Sequence, residues 1–331
     1  MARNTFHGDY REIIGDSPQM FAVLQQIESL AATPLKILIS GETGTGKGMV
    51  ARALHKNSGR SGEMVSVNCA AIQETLLESE LFGHEKGAFT SADARHIGKF
   101  ERGHKGTLFL DEIGEMPLSL QPKLLHAIEE GKIERVGSEK PITVNVRIIT
   151  ATNRDLAQAV QAGIFRSDLY HRLNVADISL PLLSERQADI AALVAYFLEK
   201  HRVPGNSEVL QVAANTLALL ETYAWPGNVR ELENLIEKGT YLAKDGILLP
   251  IHLPEQIRTY HRQPMDVSTG KTDPSVNLPI GTPLKRMEET FIRATLASLD
   301  GNRTETARVL EIGIRTLQRK LKEYDISCKG T

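Results

Sequence analysis

The sequence predicts an α/β fold: a parallel sheet built around a phosphate-binding loop, followed by all-helical units. Gly41, Glu42, Thr43, Gly44, Thr45, Gly46, Lys47 and Gly48 read GETGTGKG, between the apolar run LKILIS (35–40) and the helically spaced MVARALH (49–55). Four further short runs rich in β-branched residues recur at 64–69, 107–111, 144–152 and 176–180, with longer helical patterns between them. Strands alternating with helices in this way form parallel sheets covered on both faces, with ligands at the carboxyl ends of the strands. From about Asp189 the strand signal stops, and helical patterns follow at 189–199, 208–223 and 228–243.

The run 35–40 is the strand that delivers the chain to the loop. Glycines let successive backbone N–H groups converge there, and the following helix points its positive end at the same spot. Lys47 supplies a point charge for the outer phosphates. Gly48 stands where most such loops carry a Ser or Thr hydroxyl for magnesium, so the metal is expected to be held otherwise.

The run 107–112, TLFLDE, is a buried strand ending in two acids. Alternation along a strand turns Asp111 and Glu112 different ways, which suits Asp111 to magnesium and Glu112 to polarising an attacking water. The alternative is an acidic strand end that caps the next helix. The strand at 144–152 ends in Asn153, placed to sense the γ-phosphate, and the strand at 64–69 carries Asn68, placed to restrain Glu112. A turn-forming role fits the spacing of either Asn equally well.

The chain has 331 residues, 41% of them apolar, enough for two or three packed domains. A net charge of −2 excludes a globally basic nucleic-acid binder but not a local basic patch. Cys69 and Cys328 form no CxxC, which argues against a disulfide framework and for a reducing cytoplasm. No apolar run reaches the 18 or so residues that span a bilayer, so no membrane insertion is expected. Four prolines and two glycines within 258–283 read as a linker. Beyond it, Leu284, Met287, Phe291, Ile292, Leu296 and Leu299 form a helical stripe, and two short helical patterns about a tight turn follow Gly301. Residues 301–331 hold seven Lys or Arg against four acids, a balance suited to a phosphate backbone. Left without further context, the same segment reads as a solvated amphipathic helix hairpin.

Six motifs in order, GETGTGKG, ESELFGHEKGAFTSA (78–92), TLFLDE, VRIITATNRDL (146–156), FRSDLYHRLNV (165–175) and WPGNVREL (225–232), resemble the bacterial enhancer-binding AAA+ activators of sigma-54 RNA polymerase. The resemblance covers about 13–243 and returns near the carboxyl terminus as a Fis-type helix-turn-helix. It implies an AAA+ α/β ATPase core (1–185), a helical lid (186–257), a linker (258–283) and a DNA-binding domain (284–331), with ATP and Mg2+ as cofactors. By the same resemblance, Ile14 and Gly15 hold adenine and Asn68 couples nucleotide state to Glu112. Arg166 and Arg172 are arginine fingers for a neighbouring subunit's γ-phosphate, Arg230 is the sensor arginine of the lid, and Glu101 serves communication between subunits. For Arg166 or Arg172 alone, a surface ion pair is the commoner fate.

The family's sigma-factor contact loop reads GAFTGA; here it is Gly87, Ala88, Phe89, Thr90, Ser91 and Ala92, with Ser91 as the departure. If that position needs a positive φ, a side chain there costs roughly 1–2 kcal/mol. The segment LPLLSER (180–186) departs as well, Ser184 standing in place of an arginine, and the family commonly carries Glu where this chain has Gly48. In the helix-turn-helix, the recognition helix is expected at about 314–324, with Arg315, Thr316, Gln318 and Arg319 at base edges and Lys320 and Lys322 on phosphates. Glu311 and Ile314 depart from the usual Gly and basic residues around its turn.

The implied function is a sigma-54-dependent transcription activator. It would bind enhancer DNA as a dimer, assemble into a hexameric ring and use ATP hydrolysis to remodel the sigma-54 RNA polymerase holoenzyme into the open complex. The layout is that of members without an amino-terminal regulatory domain. Control would come from a separate inhibitor, from expression level, or from a domain absent from this chain. The alternative is a DNA-binding AAA+ regulator that never contacts sigma-54. A AAA+ remodeller of some unrelated protein is a third reading, disfavoured by Phe89, Thr90 and the basic tail.

Overall fold

The computed structural model describes residues 6–89, 92–202, 211–243, 246–260, 283–299, 302–310 and 312–324. The chain divides into two compact units, 1–263 and 264–331.

The first unit is built on five parallel strands: β1 (Ile37–Ser40), β2 (Met64–Asn68), β3 (Thr107–Asp111), β4 (Arg147–Thr152) and β5 (Ala176–Ser179), in the order β2-β3-β4-β1-β5. Each lies within one of the five apolar runs. Alternation along the strands builds two cores. Leu38, Leu108, Leu110 and Ile148 face Leu77, Leu81, Leu124 and Leu169 on one side. Ile37, Ile39, Phe109 and Ile149 face Val23, Ile27, Val50 and Leu54 on the other. Burial on both faces is why the strands read as continuous apolar runs rather than alternating ones. Because β4 lies between β1 and β3, the loop after β1 and the acids ending β3 flank the end of β4.

The lid packs helices Ile190–Lys200, Ala214–Thr222 and Asn228–Leu242 around a core that includes Trp225, 1% exposed, whose indole N–H donates to Leu220 O (2.8 Å). It is not all-helical. Gln211–Val212 pairs in parallel with Ile247–Leu248, and a second small pairing, Lys132–Ile133 with Ile142–Thr143, lies in the core domain. Two-residue strands are too short to carry a period. Ile257 is buried in the lid core and the Tyr260 ring packs on Tyr223, so the start of the expected linker still belongs to the lid. Most of that linker, 261–282, lies outside the described residues.

The second unit packs helices Leu284–Ser298, Arg303–Val309 and Ile314–Glu323 around Ile292, Leu296, Ala307, Leu317, Leu321 and Tyr324. The Asn302 side chain caps the middle helix by accepting from Glu305 N (3.2 Å). Phe291, on the expected helical stripe, is 46% exposed.

Candidate nucleotide site and the surfaces around it

Gly41, Gly44 and Gly46 all take positive φ (152°, 82° and 108°), and Gly46 caps the helix Lys47–Lys56. Only Gly adopts such a run without strain. The Lys47 side chain, 7% exposed, is drawn back over the loop, its ammonium donating to Gly41 O (2.8 Å) and Glu42 O (3.4 Å) and standing 3.6 Å from Glu112 Oε1. Thr45 Oγ1 donates to Glu42 O (2.8 Å). At Gly48 an added Cβ would meet only Arg52 Nη1, at 3.9 Å, so no steric demand keeps this position bare.

Asp111 ends β3, and Glu112 follows in a left-handed conformation (φ 51°, ψ 51°). The chain turns at Glu112 instead of continuing as a strand, so strand alternation does not set the directions of the two acids, and both line one cleft. A non-glycine residue held there costs about 1–3 kcal/mol, strain of the kind that gathers at functional sites. Burial raises the Asp111 carboxyl above its ordinary range, and the charge of Glu112 adds to the rise while Lys47 opposes it. Asn153 spans the gap: its N–H donates to Glu112 Oε2 (3.3 Å) and its Nδ2 to Thr43 Oγ1 (3.2 Å). Among the described residues no three His, Cys, Asp or Glu gather into a metal cage. Two carboxylates at a phosphate loop fit magnesium that takes its remaining oxygens from phosphate and water.

The lid closes over this loop through three successive carbonyls. Asn228 Nδ2 donates to Thr43 O (3.1 Å), Arg230 N to Gly44 O (3.3 Å) and Arg186 Nη2 to Thr45 O (3.0 Å). A Cβ on Gly44 would lie 2.3 Å from Gly227 O. Arg230 lines the cleft that also holds Lys47, Asp111 and Glu112. Arg186, Asn228 and Asp189 were not legible as site residues. Asp189 is buried and accepts from Asp16 N, Ser17 N and Ser17 Oγ (2.7, 2.7 and 2.6 Å), which fixes the segment holding Ile14 and Gly15. Gly15 (φ 137°) lies against that carboxylate, and a Cβ there would come within 2.6 Å of it. Ile14 lines an apolar extension of the cleft with Leu180, Tyr196 and Phe197. Arg186, buried against Met20, explains the tail of LPLLSER, while nothing in the structure explains Ser184.

Other expected residues are not brought to the cleft. Asn68 Oδ1 accepts from Ala70 N (2.9 Å) and Ala71 N (3.1 Å), so it shapes its own turn instead of restraining Glu112. Arg166 pairs with Asp168 (2.6 Å) and Arg172 with Glu129 (3.4 Å), both near half exposed. Arg172 also acts electrostatically on Lys36, which precedes β1, whereas the phosphate loop follows the other end of that strand.

Gly87 (φ 83°) and Ala92 close the contact loop through Gly87 N to Ala92 O (2.9 Å), and Phe89, 37% exposed, sets its ring edge-on to His84 at 4.8 Å. Thr90 and Ser91 lie outside the described residues, as does Glu311. Ala88 packs on Gly137, where a Cβ would fall 2.9 Å from Ala88 Cβ. Below the loop, Arg135 joins Glu85 (2.6 Å) to Glu101 (2.8 Å), which gives Glu101 a defined partner.

In the second unit Leu317 and Leu321 turn inward, and Arg315, Thr316, Gln318, Arg319 and Lys322 face outward. Lys320 does not join them. Its ammonium donates to Glu288 (2.8 Å) and its side chain is 20% exposed, because position 320 flanks the buried face of the helix.

Residues 13–179 match the sigma-54 interaction domain, 184–269 the AAA+ ATPase lid domain and 283–324 the Fis family of bacterial regulatory proteins. The chain is 45% identical over 316 residues to the regulatory protein AtoC of Escherichia coli, covering 95% of this chain and 68% of that protein. It is 45% identical over 328 residues to the transcriptional regulatory protein FlbD of Caulobacter vibrioides, covering 96% and 71%. The crystal structure of NtrX from Brucella abortus in complex with ATP superposes with a TM-score of 0.70 at 33% identity, over 95% of this chain and 70% of NtrX. The loop, acids and lid thus sit in a recognised order, and the chain belongs to the bacterial sigma-54-dependent activators, with an AAA+ ATPase-type domain, its lid and a Fis-type helix-turn-helix.

Proposed function

We propose that the protein is a transcription activator that couples ATP hydrolysis in a ring to remodelling of sigma-54 RNA polymerase, from DNA sites bound through Ile314–Glu323. Lys47 and the loop amides bind the phosphates, Glu112 orients and deprotonates the attacking water, Asn153 ties Glu112 to the loop, and Arg230 approaches from the lid. Magnesium, when bound beside Asp111, neutralises phosphate charge. The observation that carries the reading is a cleft assembled around Lys47, Asp111 and Glu112 while Arg166 and Arg172 stay outside it. Arg52 and Arg230 line that cleft, but neither Arg166 nor Arg172 does, so these two are left to serve a neighbour's site, and an arginine supplied in trans is worth about 10³ to 10⁵ in rate in related phosphoryl transfer. Phe89, exposed on a loop pinned at both ends, supports contact with the sigma factor.

ATP hydrolysis that rises more steeply than protein concentration, together with open-complex formation on a sigma-54 promoter, is the expected result. Hydrolysis without open complexes would leave only the ATPase half. Ser91 then separates the alternative, a DNA-binding regulator that does not contact sigma-54: activation gained only by Ser91→Gly would establish it.

A further inference from the structure

The cleft has two compartments. One holds the phosphate loop with Lys47, Asp111, Glu112 and Arg230, and the other is the apolar extension beside Ile14 and Tyr196. Gly46, Met49, Val229 and Glu233 line both, so they stand where the compartments meet. In a nucleotide, the group between base and phosphates is the sugar. Val229 and Glu233 are one helical turn apart on Asn228–Leu242, which stacks the two side chains on one face of that helix.

Glu233 is the acid at this junction. Its carboxylate is held by Lys200 Nζ at 2.6 Å, with His201 Nε2 at 3.4 Å, and its side chain keeps 29% exposure. Burial works to raise its pKa, but Lys200 and His201 together outweigh it and hold the carboxyl below its ordinary range. An ionised carboxylate here would repel an α-phosphate but accepts from vicinal hydroxyls. The same chemistry lets an acidic residue read a ribose in dinucleotide-binding folds.

We propose that Glu233 is a sugar-reading residue that accepts from the ribose hydroxyls of the bound nucleotide, with Lys200 as the positioning residue that orients its carboxylate. The inference rests on the nucleotide-binding reading above and adds selectivity for ribonucleotides to it.

The test is competition binding of ATP, 2′-deoxy-ATP and 3′-deoxy-ATP to the full-length protein, with thermal melting alongside. The wild type is expected to bind ATP roughly 10- to 100-fold more tightly than at least one deoxy form, the effect of one hydrogen bond to a charged group. Glu233→Ala should weaken ATP and leave the deoxy form nearly unchanged, collapsing the ratio towards one. Lys200→Met, which keeps the carboxylate, should retain part of the ratio. Equal wild-type binding of all three nucleotides would overturn the inference. So would a Glu233→Ala variant that loses ATP and deoxy forms in equal measure, since a merely structural acid behaves that way. Wild-type protein that binds none of the three would overturn the nucleotide reading itself, and this inference with it.

Discussion

The Lys47 ammonium stands 3.6 Å from Glu112 Oε1, so the cation of the phosphate loop and the acid after β3 face each other across the end of β4. Glu112→Gln keeps the shape of the side chain and removes the base. Nucleotide binding should persist while phosphate release falls about 10²- to 10⁴-fold, the usual worth of a positioned general base. Equal losses in binding and turnover would show that Glu112 holds the loop and does no chemistry.

Arg166 and Arg172 pair with Asp168 and Glu129 and do not line their own cleft. Arg166→Ala and Glu112→Gln should each be inactive alone. Mixed in equal amounts, they should recover activity, because roughly a quarter of the sites in a randomly mixed ring pair an intact Glu112 with a neighbour's intact Arg166. A mixture as inactive as its components would mean that the arginine acts within its own chain.

Asp111 carries a pH-dependent cost. Its folded-state pKa is raised above the ordinary 3.8, so its stabilising contribution is complete below that value and is lost as pH rises through the raised pKa. At neutral pH the ionised group therefore strains the nucleotide-free fold. Asp111→Asn should melt higher than wild type in the absence of Mg-ATP, and lose both magnesium-dependent hydrolysis and the stabilisation by Mg-ATP. A lower melting temperature without ligand would contradict the direction.

Two glycines of one loop should respond oppositely. Gly44→Ala forces a methyl to 2.3 Å from Gly227 O at a φ of 82°. The backbone conformation alone costs roughly 1–2 kcal/mol, and nucleotide affinity should fall about tenfold or more as the lid is pushed off. Gly48→Ala meets open space, with Arg52 at 3.9 Å, and should stabilise the fold by up to about 1 kcal/mol with affinity unchanged. Melting curves and nucleotide titrations of the pair separate the two.

Lys322→Ala should lower the salt dependence of DNA binding by about one counterion-release unit, whereas Lys320→Ala should leave that slope unchanged. The Lys320 ammonium is already spent on Glu288. Matching slopes for the two variants would put Lys320 on DNA after all.

The sheet was readable because each strand is buried on both faces and leaves a continuous apolar run. The phosphate loop was readable because positive φ demands glycine at Gly41, Gly44 and Gly46. What escaped is local in space and not in sequence. Arg186, Asn228 and Asp189 are polar residues of ordinary appearance whose partners lie 141, 185 and 172 residues away. The pairing of Lys320 with Glu288 was not legible because charge density says how many cations a helix has and not which way each one points. Asn68 shows the same limit, since its strand-end position left a turn and a switch equally open and the geometry here forms the turn.

Each trans peptide plane turns its carbonyl and its N–H in opposite directions. By claiming the carbonyls of Thr43, Gly44 and Thr45, the lid obliges the N–H groups of Gly44, Thr45 and Gly46 to point the other way. The lid thereby fixes the rotation of three consecutive peptides of the loop, so a lid displaced from it would free their orientation as well as open the cleft.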